Sequence, residues 1–232
     1  MKSMRHVVRD GLGQARLNRI RRGVAPAVAV NLTALGKLYG TDKAGSTHPY
    51  TRHYQRHLSP LRRRPVQLLE IGVGGYSSDE GGASLRMWRS YFPRGAIHGV
   101  DIQAKDLDEP RVFTHQGSQS DVDFLEELAV AHGPFDVIID DGSHRSDDIR
   151  VSFASLFERH VRPGGWYIIE DLATAHRHDF AGGPPGFPTT STALIASLVD
   201  DVNAAHWQDT PRPPLPVAEV HVYDQIAFVR HG

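Results

Sequence analysis

From Pro65 to Asp171, short apolar runs alternate with segments of helical spacing, and that alternation limits the fold of this chain more than any other feature. Residues 66–71, 96–102, 112–115, 135–140 and 166–170 read as strands. Between them, residues 83–91, 121–132 and 146–160 place apolar side chains three and four apart, as a helix covering a sheet must. Such repetition predicts an α/β fold, a Rossmann-like and mainly parallel sheet with helices on both faces. The tail breaks the rhythm. Residues 178–190 are rich in Gly and Pro and read as a loop, 192–207 as a helix, and 211–216 as a break. Residues 217–223 and 225–230 then predict an antiparallel C-terminal hairpin turning at Asp224.

Residues 1–36 precede this pattern as a basic, partly helical extension, with 37–232 forming the α/β domain. Arg5, Arg9, Arg16, Arg19, Arg21 and Arg22 are interleaved with Val7, Val8, Leu12, Leu17 and Ile20. A helix of this kind can lie on a membrane surface or a partner. A solvated helix packed on the domain or on another subunit satisfies the same pattern.

Composition removes several functions. The formal net charge of −1 leaves no electrostatic footprint for nucleic acid. Cysteine is absent, so disulfides, thiolate metal sites and cysteine nucleophiles are excluded. No apolar run is long enough to span a bilayer, and residues 1–22 lack the apolar core of a signal peptide. A cytoplasmic enzyme is the expectation. The 14 histidines are scattered along the chain, and their number alone argues for no metal cluster.

Four motifs fall at the carboxyl ends of the predicted strands, where open α/β sheets bind ligands. Glu70-Ile71-Gly72-Val73-Gly74-Gly75-Tyr76 lets the backbone turn sharply and approach a ligand closely. It lacks the GxGxxG spacing, and residues 77–82 intervene before the next helix, which weighs against a dinucleotide pyrophosphate. Asp101 ends the second strand, where an acid accepts hydrogen bonds from ribose hydroxyls or simply closes a turn. Gln116-Gly117-Ser118-Gln119-Ser120-Asp121 offers polar groups to an adenine edge, or caps the helix that follows. Asp140-Asp141-Gly142-Ser143-His144 and Glu170-Asp171 end the fourth and fifth strands. Neighbouring strand ends lie about 5 Å apart, so the four acids would crowd one rim. Like charges that close are costly unless a cation joins them, and oxygen-only ligands favour Mg²⁺. His144, just after the acids, is placed as a general base. The same acids would also serve as caps for the helices that follow.

The glycine turn at 70–76 and the Asp140–His144 run, with Gly81-Gly82-Ala83-Ser84-Leu85-Arg86-Met87-Trp88, Gly164-Gly165, Ile168-Ile169-Glu170-Asp171 and Tyr39-Gly40-Thr41-Asp42-Lys43, resemble the macrolide sugar O-methyltransferases. The likeness runs over residues 37–175 and the final hairpin. It implies an S-adenosylmethionine-dependent, Mg²⁺-dependent O-methyltransferase acting on a sugar hydroxyl of a glycosylated natural product. Asp141, Glu170 and Asp171 would hold Mg²⁺, and His144 would take the proton of a chelated hydroxyl. Gly72, Gly74 and Asp101 would bind the cofactor, with Glu70, Gln119, Ser120 and Asp140 as further contacts. The 39–43 segment, through Tyr39 and Thr41, would fold over it. The resemblance also implies a small-molecule acceptor, an oligomer of identical chains, and no nucleic-acid or membrane partner. Family members carry a larger N-terminal region than the 36 or so residues that precede the likeness here. A catechol or other non-sugar diol would use the same chelation. A nicotinamide oxidoreductase and a non-catalytic cofactor-binding scaffold are the alternatives of other classes.

Overall fold

Local signals place the helices first. The computed structural model describes residues 4–75, 80–210 and 212–232, with only the helical backbone given for 4–12. Tyr76 of the glycine motif, residues 77–79 of the intervening loop, residues 1–3 and Pro211 lie outside the described residues, as do the side chains of Arg5, Val7, Val8, Arg9 and Leu12. Helix α1 (Met4–Val28) leads to α2 (Leu32–Tyr39), where Asn31 accepts from the Ala34 N–H and Gly40 closes the last turn at φ 78°. Helices α3 (Thr51–Leu58) and α4 (Ala83–Tyr91) complete one layer. Helices α5 (Val122–His132), capped by Asp121, α6 (Ser146–His160) and α7 (Ser191–Val202), capped by Thr190, form the other.

Between the layers lie β1 (Gln67–Ile71), β2 (Ala96–Asp101), β3 (Val112–Gln116), β4 (Phe135–Asp140), β5 (Val161–Ile169), β6 (Val217–Tyr223) and β7 (Ile226–His231). They form one seven-stranded sheet in the order β3-β2-β1-β4-β5-β7-β6. The first five run parallel, and β7 pairs antiparallel with both β5 and β6. Alternation along the strands sends Leu68, Ile97, Val137, Ile139 and Ile168 into a core shared with α2, α3 and α4. Leu69, Ile71, Val100, Ile138 and Ile169 enter the core shared with α5, α6 and α7.

The differences from the sequence expectation have local causes. Leu32, Leu35 and Tyr39 are buried with α4, so a boundary after residue 36 cuts through a helix of the domain core. Arg22 of α1 reaches Glu109 at 3.2 Å, while Leu17, Ile20 and Val24 stay exposed. Strand β5 begins at Val161 rather than 166, because Pro163, Gly164 and Gly165 sit where its register with β4 shifts between Phe135 and Val137. The last helix stops at Val202 rather than 207, and a short 3₁₀ turn at Ala204–His206 follows. The 178–190 loop opens with another 3₁₀ turn, His178–Phe180. Among the described residues no helix is long and apolar enough to cross a membrane.

Candidate functional site

Strand order reverses between β1 and β4, and there the backbones leaving the two strands pack closely against each other. The Asp141 N–H donates to Ile71 O at 2.9 Å, and the Gly72 N–H donates to Val100 O at 2.8 Å. Gly72 has φ 94°, and a Cβ there would sit 2.0 Å from the Asp141 carbonyl oxygen. Glycine is therefore required for two independent reasons. Two cavities open on either side of this crossing, of about 350 Å³ and about 150 Å³, and Gly72 and Gly142 line both.

The smaller cavity is walled by Asp101, Ile102, Ser118 and Gln119. Asp101 is held by the N–H groups of Val73 (3.1 Å) and Gln103 (2.9 Å). Gln119 is fixed at both ends, accepting from the Ser143 N–H at 2.6 Å and donating to Asp140 at 3.2 Å. The larger cavity is lined by Thr41, Lys43, Gly72, Gly74, Asp141, His144 and Asp171.

Asp141, His144 and Asp171 can each present one ligand atom such that the three lie within 4.8 Å of one another. His144 and Asp171 both adopt left-handed backbone, at φ 58° and 56°. Such conformations cost about 1 kcal/mol or more in a non-glycine residue and gather at functional sites. The Thr174 hydroxyl lies 2.9 Å from the His144 carbonyl and 2.7 Å from the Asp171 carbonyl, bracing both turns. The Tyr50 hydroxyl donates to Asp171 at 2.6 Å, and His144 Nε2 lies 3.5 Å from the other Asp171 oxygen. Tyr50 also stacks on His48, whose Nε2 is 3.6 Å from Asp171.

Behind these groups the Lys43 ammonium is buried among three carboxylates. It donates to Asp141 and, at 2.8 Å, to Glu170, and it lies 3.2 Å from Glu70. The second Glu170 oxygen accepts from the Tyr54 hydroxyl. Burial alone would lower the Lys43 pKa, but Asp141, Glu170 and Glu70 together hold it above its usual value. Burial pushes all three acids up, Glu70 to about 7, with Lys43 opposing the shift in each case. One ammonium cannot balance three carboxylates, and Asp171 adds a fourth nearby. The excess negative charge and the carboxylate oxygens of Asp141 and Asp171 at the cavity, with His144 beside them, suit a hard divalent cation.

Five residues expected around a cofactor do line these cavities: Thr41, Gly72, Gly74, Asp101 and Gln119. Four others are placed elsewhere. Tyr39 is buried in the core with its hydroxyl 2.8 Å from Ser90. Ser120 is exposed and pairs with Ser118 at 2.9 Å. Glu70 lies beneath the glycine turn, accepting from the Ser84 hydroxyl at 2.8 Å. Asp140 turns to the α6 side, where Ser152 and Tyr167 donate to it. The expected set of three metal carboxylates is split as well, since Glu170 lies outside the group formed by Asp141, His144 and Asp171. Lys43, Tyr50 and Tyr54 were not anticipated. Lys43 belongs to the 39–43 segment, but its partners Asp141 and Glu170 lie 98 and 127 residues away, and no local pattern carries such contacts.

No protein-family profile matches the chain. It is 46% identical over 214 residues to mycinamicin VI 2''-O-methyltransferase of Micromonospora griseorubida, covering 87% of this chain and 53% of that protein. It is 46% identical over 211 residues to demethylmacrocin O-methyltransferase of Streptomyces fradiae, covering 87% and 53%. The structure matches the MycE methyltransferase of the mycinamycin biosynthetic pathway, crystallised with Mg, SAH and mycinamycin VI, at a TM-score of 0.83 and 46% identity, covering 87% and 53% of the two chains. The chain thus spans about half the length of the curated relatives it matches.

Proposed function

We propose that, over the region it shares with these relatives, the chain acts as a macrolide sugar O-methyltransferase and transfers a methyl group from S-adenosylmethionine to a sugar hydroxyl of a glycosylated, macrolide-like natural product. One observation carries the reading: two cavities meet at Gly72 and Gly142, the smaller walled by Asp101 and Gln119 and the larger holding an acid–histidine group.

Asp101 and Gln119 would hold the adenosyl part of the cofactor in the smaller cavity, and Gly72, Gly74 and Thr41 would let its remainder pass into the larger one. Asp141 and Asp171 would hold Mg²⁺. Glu170 joins them if its oxygen exchanges Lys43 for the ion. When bound, S-adenosylmethionine supplies the electrophilic methyl, and Mg²⁺ acidifies and positions the acceptor hydroxyl. The work of the chain is alignment and proton transfer. His144, braced through its carbonyl by Thr174 and facing Asp171, takes the hydroxyl proton at Nε2. Lys43 and Tyr54 keep the carboxylates in register, and Tyr50 fixes the rotamer of Asp171. Holding two reactants in one geometry is worth several kcal/mol. We place the enzyme in the cytoplasm, as an oligomer of identical chains with no nucleic-acid or membrane partner.

Calorimetry with S-adenosylhomocysteine, the expected product, tests the cofactor. Wild type binds, and Asp101→Ala binds at least tenfold more weakly. No binding by folded wild type sinks the reading. An acceptor panel with and without EDTA then separates glycosylated macrolides from catechols. Activity indifferent to EDTA removes the metal, and full turnover by His144→Ala removes the base.

A further inference from the structure

The histidines are scattered in sequence, but the topology gathers three of them at the edge of the sheet. His98 comes from the middle of β2, His115 from the edge strand β3, and His132 is the last residue of α5. Parallel register pairs His98 with Phe113 and Val100 with His115, so both imidazoles rise from the sheet face that α5 covers. Each of the three can offer one ring nitrogen such that these atoms lie within 4.8 Å of one another.

We propose that His98, His115 and His132 form a second metal site, for Zn²⁺, distinct from the acid centre and sharing no residue with it. His98 Nδ1 and His115 Nε2 are 3.2 Å apart. Two nitrogens on a tetrahedral zinc ion, each at about 2.0–2.1 Å, stand about 3.3 Å from each other. The backbone therefore already holds two ligands at the separation the ion needs. The His132 ring centroid is 4.8 Å from those of both His98 and His115, so a small rotation of that terminal side chain closes the third bond. Three imidazoles without a carboxylate suit zinc and its transition-metal neighbours, whereas Mg²⁺ takes oxygen ligands.

The surroundings agree with this chemistry. Phe113 stacks on His98 at 5.1 Å and Phe135 meets its edge at 6.0 Å, giving the site an apolar wall. His98 is buried, while His115 and His132 are half-buried, leaving a route for an ion and a fourth position for water. Bound zinc would staple the edge strand to β2 and to the end of α5.

The test is zinc calorimetry on untagged, EDTA-stripped protein in excess Mg²⁺, followed by the visible spectrum of the Co²⁺-substituted protein. We expect one zinc per chain, intense low-coordinate cobalt bands, and zinc affinity reduced at least tenfold in His115→Ala and in His132→Ala. Both side chains are half-buried, and circular dichroism checks that each variant is folded. Asp141→Asn, which alters only the acid centre, retains the zinc site. Absence of binding by wild type, binding that persists in both histidine variants, or binding lost in Asp141→Asn overturns the proposal.

Discussion

Asp140 and Glu170 are adjacent across the β4–β5 pair, joined by a 3.0 Å bond from the Glu170 N–H to the Asp140 carbonyl, yet they meet burial in opposite ways. Asp140 faces α6 and is surrounded by the neutral donors Ser152, Tyr167 and Gln119. Glu170 faces α3 and shares the Lys43 ammonium with Glu70 and Asp141. The first arrangement is complete in itself. The second leaves more negative charge than one lysine can offset, and the surplus lies beside the cavity where Asp141 and Asp171 are accessible. A stabilising network and a binding site thus differ less in residue type than in whether their charge closes.

The sharpest way to break that contrast is Lys43→Met. It removes the cation that pairs with Glu70, Asp141 and Glu170, and an uncompensated buried cluster of this kind costs about 3–5 kcal/mol. Urea unfolding should show a loss of that size and abolish turnover. A change below about 1 kcal/mol would mean that the three acids are protonated without the lysine and that Lys43 does not organise the centre.

Stability against pH gives a smaller effect on the same side of the sheet. Burial raises Glu70 to about 7, above the ordinary carboxylate value. The folded state then holds a proton that the unfolded state has already released, so the contribution is complete below about pH 4.5 and is lost as pH rises through 7. Between pH 6 and 8, in chelator, wild type should lose about 1 kcal/mol from this group. Glu70→Gln should flatten that part of the profile. A slope of the opposite sign, or one unchanged in the variant, would show that Glu70 is ionised throughout and fully matched by Lys43.

The same contrast explains what could be read in the sequence. Helices α4 and α6 and strand β4 follow from periodicity alone, and Gly72 from its place after a strand. The four strand-end acids were legible as residues but not as a geometry. The acids sit at and just past the strand ends, and the turns there, including the left-handed Asp171, leave Asp140 and Glu170 as buried anchors while Asp141 and Asp171 reach the cavity. Lys43 and Tyr54 come from segments far upstream, and the histidine cluster needs two strands and a helix end to meet. Contacts of that range are properties of topology and have no local signature.

Ser152→Ala probes the neutral side and should have the smallest effect. Its hydroxyl donates to Asp140 and also contacts the Asp148 and Ile149 carbonyls at 3.1 Å, so it ties α6 to the end of β4. Loss of one hydrogen bond to a buried acid costs about 1.5–3 kcal/mol when nothing replaces it. Tyr167 and Gln119 remain, at 3.1 and 3.2 Å, so about 1 kcal/mol is expected here. Because Asp140 faces away from the cavity, the Mg²⁺ dependence of turnover should be unchanged. A shift in metal dependence without a loss of stability would mean that Asp140 and Asp141 act as one unit, and that the two faces are not separate solutions to the burial of charge.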